Sequence, residues 1–134
     1  MKIEKLYGKY QGRVLEDWGC VCSKEFKQFA SDIRSFIRSA ADKCGGTLAR
    51  FSTGHYDCSG FIQKGAHYVY FSYEPTRMAP INLDRSDPME GVLYRTAKNE
   101  RDFTGGQNHF TSLTSFETAL TAMLAECCPN SSGN

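Results

Sequence analysis

Between residues 26 and 44 apolar side chains return every three or four positions: Phe26, Phe29, Ala30, Ile33, Phe36, Ile37, Ala40, Ala41 and Cys44. That is the helical period, and it predicts an amphipathic helix starting at residue 23 and stopped by Gly45-Gly46, since glycine takes the left-handed conformation that closes a helix. Its other face carries Lys27, Arg34 and Arg38, with Asp32 and Asp42 nearby. The period then drops to two. Runs at 47–52, 56–63 and 66–73 are separated by turn residues at Thr53-Gly54 and Lys64-Gly65, which predicts an antiparallel meander. In the third run Tyr68 and Tyr70 share one face, and His67, Val69, Phe71 and Tyr73 the other, so at least one aromatic set belongs to the core. A long connection, 75–88, leads to a fourth strand at 92–97, and polar residues 98–108 end in a turn at Gly105-Gly106. Thr114 and Glu117 have capping-box spacing, predicting a second helix striped by Phe116, Ala119, Leu120, Met123, Leu124 and Cys127 and ended by Pro129. Residues 1–22 sustain no period and read as a short strand or turn packed by Trp18.

Together these elements predict an α+β fold: a four-stranded antiparallel sheet, meander plus one strand, flanked by two helices in a two-layer sandwich. At 134 residues the chain suits a single domain, 1–128, with 129–134 a disordered tail. A net charge of +1 argues against an acidic DNA mimic and against a strongly basic nucleic-acid coat, because both depend on a large field of one sign. No long apolar run opens the chain, so neither a signal peptide nor a membrane span is expected, and the expected location is cytoplasmic with no membrane partner. Six cysteines in such a setting are expected to be reduced. Cys20-x-Cys22 with Cys127-Cys128 is poor spacing for a tetrahedral zinc site, so no metal and no cofactor are expected.

The segment Tyr56-Asp57-Cys58-Ser59-Gly60-Phe61-Ile62-Gln63 resembles the Asp-Cys-Ser-Gly nucleophile segment of NlpC/P60-type cell-wall cysteine peptidases. The resemblance implies a hydrolase with Cys58 as nucleophile and His109 or His67 as base. In that family the segment opens a helix, whose dipole helps to hold the thiolate. Here Gly65 follows closely between two β-rich runs, which puts Cys58 on a strand without that dipole and predicts a structural thiol.

Five stretches taken together, Leu48-Ala49-Arg50-Phe51-Ser52, the Cys58 segment, Tyr68-Val69-Tyr70-Phe71-Ser72, Arg95-Thr96-Ala97-Lys98 and Thr104-Gly105-Gly106, look similar to small proteins of conjugative and phage-like elements of Gram-positive bacteria. Such elements often encode inhibitors of host defence, anti-CRISPR proteins among them. The resemblance implies a non-enzymatic inhibitor that contacts a protein partner, a Cas nuclease. The patternless connection 75–91 is the expected contact surface, with Arg77, Asp84, Arg85 and Asp87 as its partner-binding residues. A third reading, a nucleic-acid-binding module, needs Lys27, Arg34 and Arg38 to converge on one surface, extended by Arg50, Arg95, Lys98 and Arg101.

Overall fold

A computed structural model describes residues 1–15, 24–54, 57–75, 79–103 and 105–127. The helical period forms α2, Lys24–Lys43, which buries Phe26, Phe29, Ile33, Phe36 and Ile37. Two glycines close it: Gly45 takes φ 79°, its N–H donates to Asp42 O (3.0 Å), and the Gly46 N–H reaches back to Ala41 O (2.8 Å). This pair of bonds satisfies carbonyls that a helix end otherwise leaves open.

The alternating runs form β1 (Thr47–Thr53), β2 (Cys58–Lys64), β3 (His67–Tyr73) and β4 (Val92–Ala97). A fifth strand, β5 (His109–Thr111), joins the far edge, and the order β1-β2-β3-β4-β5 is antiparallel throughout. The four-strand expectation is therefore corrected to five. Three residues are too few to display an alternation, so β5 was hidden beyond the polar turn. The β2–β3 turn falls one residue later than predicted: Lys64 pairs with His67, leaving Gly65 and Ala66 between them, with Gly65 at φ 61°. Between Leu48 and Arg50 the β1–β2 register shifts, a bulge on the edge strand.

Two helices become three. Residues Ile3–Tyr10 form α1 where a strand or turn was expected, and only Leu6 and Tyr10 of its eight residues are buried. Two core contacts establish no period, and Trp18 lies outside the described residues. The predicted capping box is also corrected. Helix α3, Phe116–Cys127, begins two residues after Thr114, whose hydroxyl instead bonds Leu83 O (3.0 Å) and the Asp84 carboxylate (2.8 Å). Pro129 and the tail 129–134 lie outside the described residues.

One sheet face, carrying Cys58, Ile62, Val69, Phe71, Tyr73 and Val92, packs with α2 and α3 into the core, joined by Phe116 and Leu120. The other face has no helix over it among the described residues, so the sandwich has two layers. No helix there is long and apolar enough to cross a membrane.

Helix α1 is tied to α2 through Asp32, a buried carboxylate that accepts from Lys9 Nζ (2.7 Å), the Tyr10 hydroxyl and Gln28 Nε2 (3.2 Å). Burial pushes its carboxyl up, but those three hydrogen bonds together outweigh burial and hold it below the ordinary value. The folded state thus binds that proton more weakly than the unfolded chain, whose Asp titrates near about 3.9. The stabilisation is complete above that pH and is lost as pH falls through the lower folded value. Melting temperatures of wild type and Asp32→Asn, taken from neutral pH down to strong acid, are expected to differ at neutrality and converge in acid; a gap independent of pH would contradict this.

Candidate functional site

Cys58 opens β2 opposite Tyr73, with its side chain on the helix-packed face and only 1% of its surface exposed. Burial, aided by the charge of Asp57, pushes its thiol up to about 12, so it is protonated at neutral pH. His67 stands at the opposite end of the same hairpin, six residues along the strand, or roughly 20 Å away. His109 is on β5, three strand spacings across the sheet, roughly 14 Å. The fold does not bring Cys58 together with either histidine. Among the described residues no group of three His, Cys, Asp or Glu side chains gathers to hold a metal; Cys20, Cys22 and Cys128, and the side chain of Cys127, lie outside them.

The connection before β4 is fixed at several points. Ile81 and Leu83 are buried, Gly12 N–H donates to Ile81 O (2.7 Å), Ile81 N–H to Arg13 O (2.9 Å), and Leu83 N–H to Gln11 Oε1 (2.7 Å). Asp84 accepts from the Tyr7 hydroxyl (2.9 Å) as well as from Thr114. Arg85 and Asp87 engage each other through two contacts, at 2.8 and 3.3 Å, and the hydrogen bond from Arg85 holds the Asp87 carboxyl below its usual range. These bonds hold the segment in one conformation, with Met89 61% exposed. Arg77 lies outside the described residues.

On α2, Lys27, Arg34 and Arg38 are exposed and, with Ser31, follow the spacing of a single line along the helix. The neighbouring acids point elsewhere: Glu25 pairs with Arg13 (2.7 Å) and Asp32 with Lys9, leaving Asp42 one turn beyond Arg38. Glu25 and Asp32 are thus drawn away from the cations, while Asp42 stays at the end of their line. A groove of about 350 Å³ runs between this line and the β1 edge, lined by Lys27, Ser31, Arg34, Phe51, Ser52 and Thr53. The Arg34 guanidinium lies 6.0 Å from the Phe51 ring centroid.

On the uncovered sheet face, strand register places Arg50, Phe61, Tyr70 and Arg95 in one row across β1 to β4. Phe103, from the β4–β5 connection, lies on Phe61 (5.2 Å between centroids) and Tyr70 (5.9 Å), and Arg50 sits 5.9 Å from the Phe103 ring. Arg95 lies 4.3 Å over Tyr70 and is 7% exposed. Its Nη1 donates to Asn108 (3.2 Å), while its Nε is buried with no partner among the described residues. The next row is Ser52, Ser59, Ser72, Leu93 and Phe110.

No family model, curated protein or solved structure matches this chain.

The arginine and aromatic row is the arrangement that sequence reading missed. Alternation alone assigns Tyr70 and Arg95 to faces of their own strands; only the cross-strand register aligns them. Phe103 carried no signal, being a single aromatic within a polar turn.

Proposed function

We propose that this chain is a non-enzymatic binding protein, an inhibitor of the anti-CRISPR kind that acts on a Cas nuclease by protein contact. The observation that carries the non-enzymatic part is the position of Cys58: sealed in the core, protonated, and remote from both His67 and His109. A nucleophilic thiol needs a depressed pKa and a base within hydrogen-bond reach. The nuclease as target rests on the resemblance of five sequence segments to proteins of mobile elements, which often encode such inhibitors. A contact surface is supported by the hydrogen-bonded, largely exposed segment 84–89, whose internal bonds lower the ordering cost of binding through Asp84, Arg85, Asp87 and Met89.

The test mixes the purified chain with RNA-guided Cas nucleases of Gram-positive hosts and measures target-DNA cleavage. Inhibition is expected, unchanged in Cys58→Ala, and weakened by more than about 1 kcal/mol in Arg85→Ala or Asp87→Ala at unaltered melting temperature. Absence of inhibition at large excess would remove the inhibitor reading. A peptidoglycan-cleaving activity lost in Cys58→Ala would restore the hydrolase.

A further inference from the structure

We infer that the uncovered sheet face and the adjoining line of α2 form a binding site for single-stranded nucleic acid. The site is separate from the 84–89 segment and goes beyond the inhibitor reading, with which it shares no residue.

Among the described residues none of the thirteen Asp and Glu lies in a strand, and the strands' Lys and Arg residues are Arg50, Lys64 and Arg95. Strands disfavour Asp and Glu in general, so that absence gains meaning only from where the cations stand. Arg50 and Arg95 bracket the aromatic row, while Lys27, Arg34 and Arg38 approach the β1 edge from the helix side, with Arg34 over Phe51, the chain neighbour of Arg50. None of these five cations forms an ion pair among the described residues, whereas Lys9, Arg13, Lys43 and Arg85 all do. Lys27, Arg34, Arg38 and Arg50, all exposed, therefore set positive charge along the edge strand, matched in sign to a phosphate backbone, while Arg95 is buried over Tyr70.

Beside Phe103, which covers the buried Phe61 and touches Tyr70, runs the row of small residues Ser52, Ser59 and Ser72 across three strands. Their hydroxyls make no hydrogen bond among the described residues and are free to donate to phosphate oxygens. Phe103 and Phe110, 51% and 37% exposed, flank this row with open ring surface. Unstacked bases can lie on such rings, and bases inside a duplex cannot, which selects a single strand. The row from Arg50 to Arg95 spans roughly 14 Å, a footprint of a few nucleotides.

The experiment is fluorescence anisotropy of a labelled single-stranded oligothymidylate, about 12 nucleotides long, with the isolated chain. Saturable binding is expected, weakening with salt at a slope of about −0.7 per phosphate neutralised, or about −3 for the four exposed cations. Arg34→Glu and Arg50→Glu should each weaken binding at least about tenfold, and Phe103→Ala at least about fivefold, with Phe103→Ala losing little on an abasic strand. Lys5→Ala, a cation on α1, should bind as wild type. Arg34→Gln and Arg50→Gln replace the charge reversals if those lower the melting temperature. Failure to saturate by about 100 μM in low salt would overturn the proposal, as would equal affinity for a duplex of the same length or equal competition by polyglutamate. Because no nuclease is present, this outcome is separable from failure of the inhibition assay.

Discussion

Gly60→Ala is expected to destabilise the protein by about 3 kcal/mol, lowering the melting temperature by roughly 10 °C. Gly60 lies in β2 between Phe51 of β1 and Phe71 of β3. A Cβ built there runs into the Arg50 carbonyl oxygen and comes 3.0 Å from Phe71 Cζ. The first obstacle is backbone of the bulged edge strand, and it yields only if β1 moves away from its partner. The rings of Phe51 and Phe71 converge to 6.3 Å beside this glycine, so the space it leaves is already used. A variant melting within about 2 °C of wild type would show that the bulge relaxes freely.

Ile33→Ala should cost about 2 to 5 kcal/mol, a large share of a total stability of about 5 to 15. Ile33 is fully buried on the inner face of α2, and truncation leaves a cavity among well-packed rings. The adjacent Arg34 is exposed, and Arg34→Ala should cost less than about 1 kcal/mol. Denaturant midpoints measured side by side decide the matter: equal losses in the two variants would mean that α2 presents a different face to the sheet. The small cost at Arg34 also makes it a clean probe of the cationic edge.

Long periodic stretches were legible in the sequence. Helix α2 and its glycine stop, and strands β1 to β4, follow from patterns of six residues or more, since a repeating burial requirement leaves a repeating trace. Helix α1 and strand β5 left none, because two buried residues or a three-residue pairing are shorter than the period that would reveal them. Thr114 misled for a different reason: its spacing to Glu117 is that of a cap, but the helix begins only at Phe116, and the Thr114 hydroxyl lies against Leu83 O and Asp84 instead. At the candidate site, local reading placed Cys58 on a strand as a structural thiol, in keeping with its burial. It undervalued Lys27, Arg34 and Arg38, because acids that alternate with cations along a chain can turn to another side of a helix. Arg13 and Lys9 draw Glu25 and Asp32 away, and a contact between segments is invisible to a one-dimensional reading.

The junction where residues 11–13, 81–83 and 114 meet bears on how the chain assembles. Every strand of the sheet pairs with its neighbour in sequence, so each hairpin can close without waiting for distant partners. The bonds from Gln11 to Asn82 and Leu83 join positions 71 and 72 residues apart, and they carry the largest loop-closure entropy among these contacts. Zipping of β1 to β3 can therefore run ahead, with this junction closing late. In the native state the same hierarchy should run backwards: the amides of Gly12, Ile81 and Leu83 exchange with solvent through a partial opening that leaves the hairpin of β2 and β3 intact.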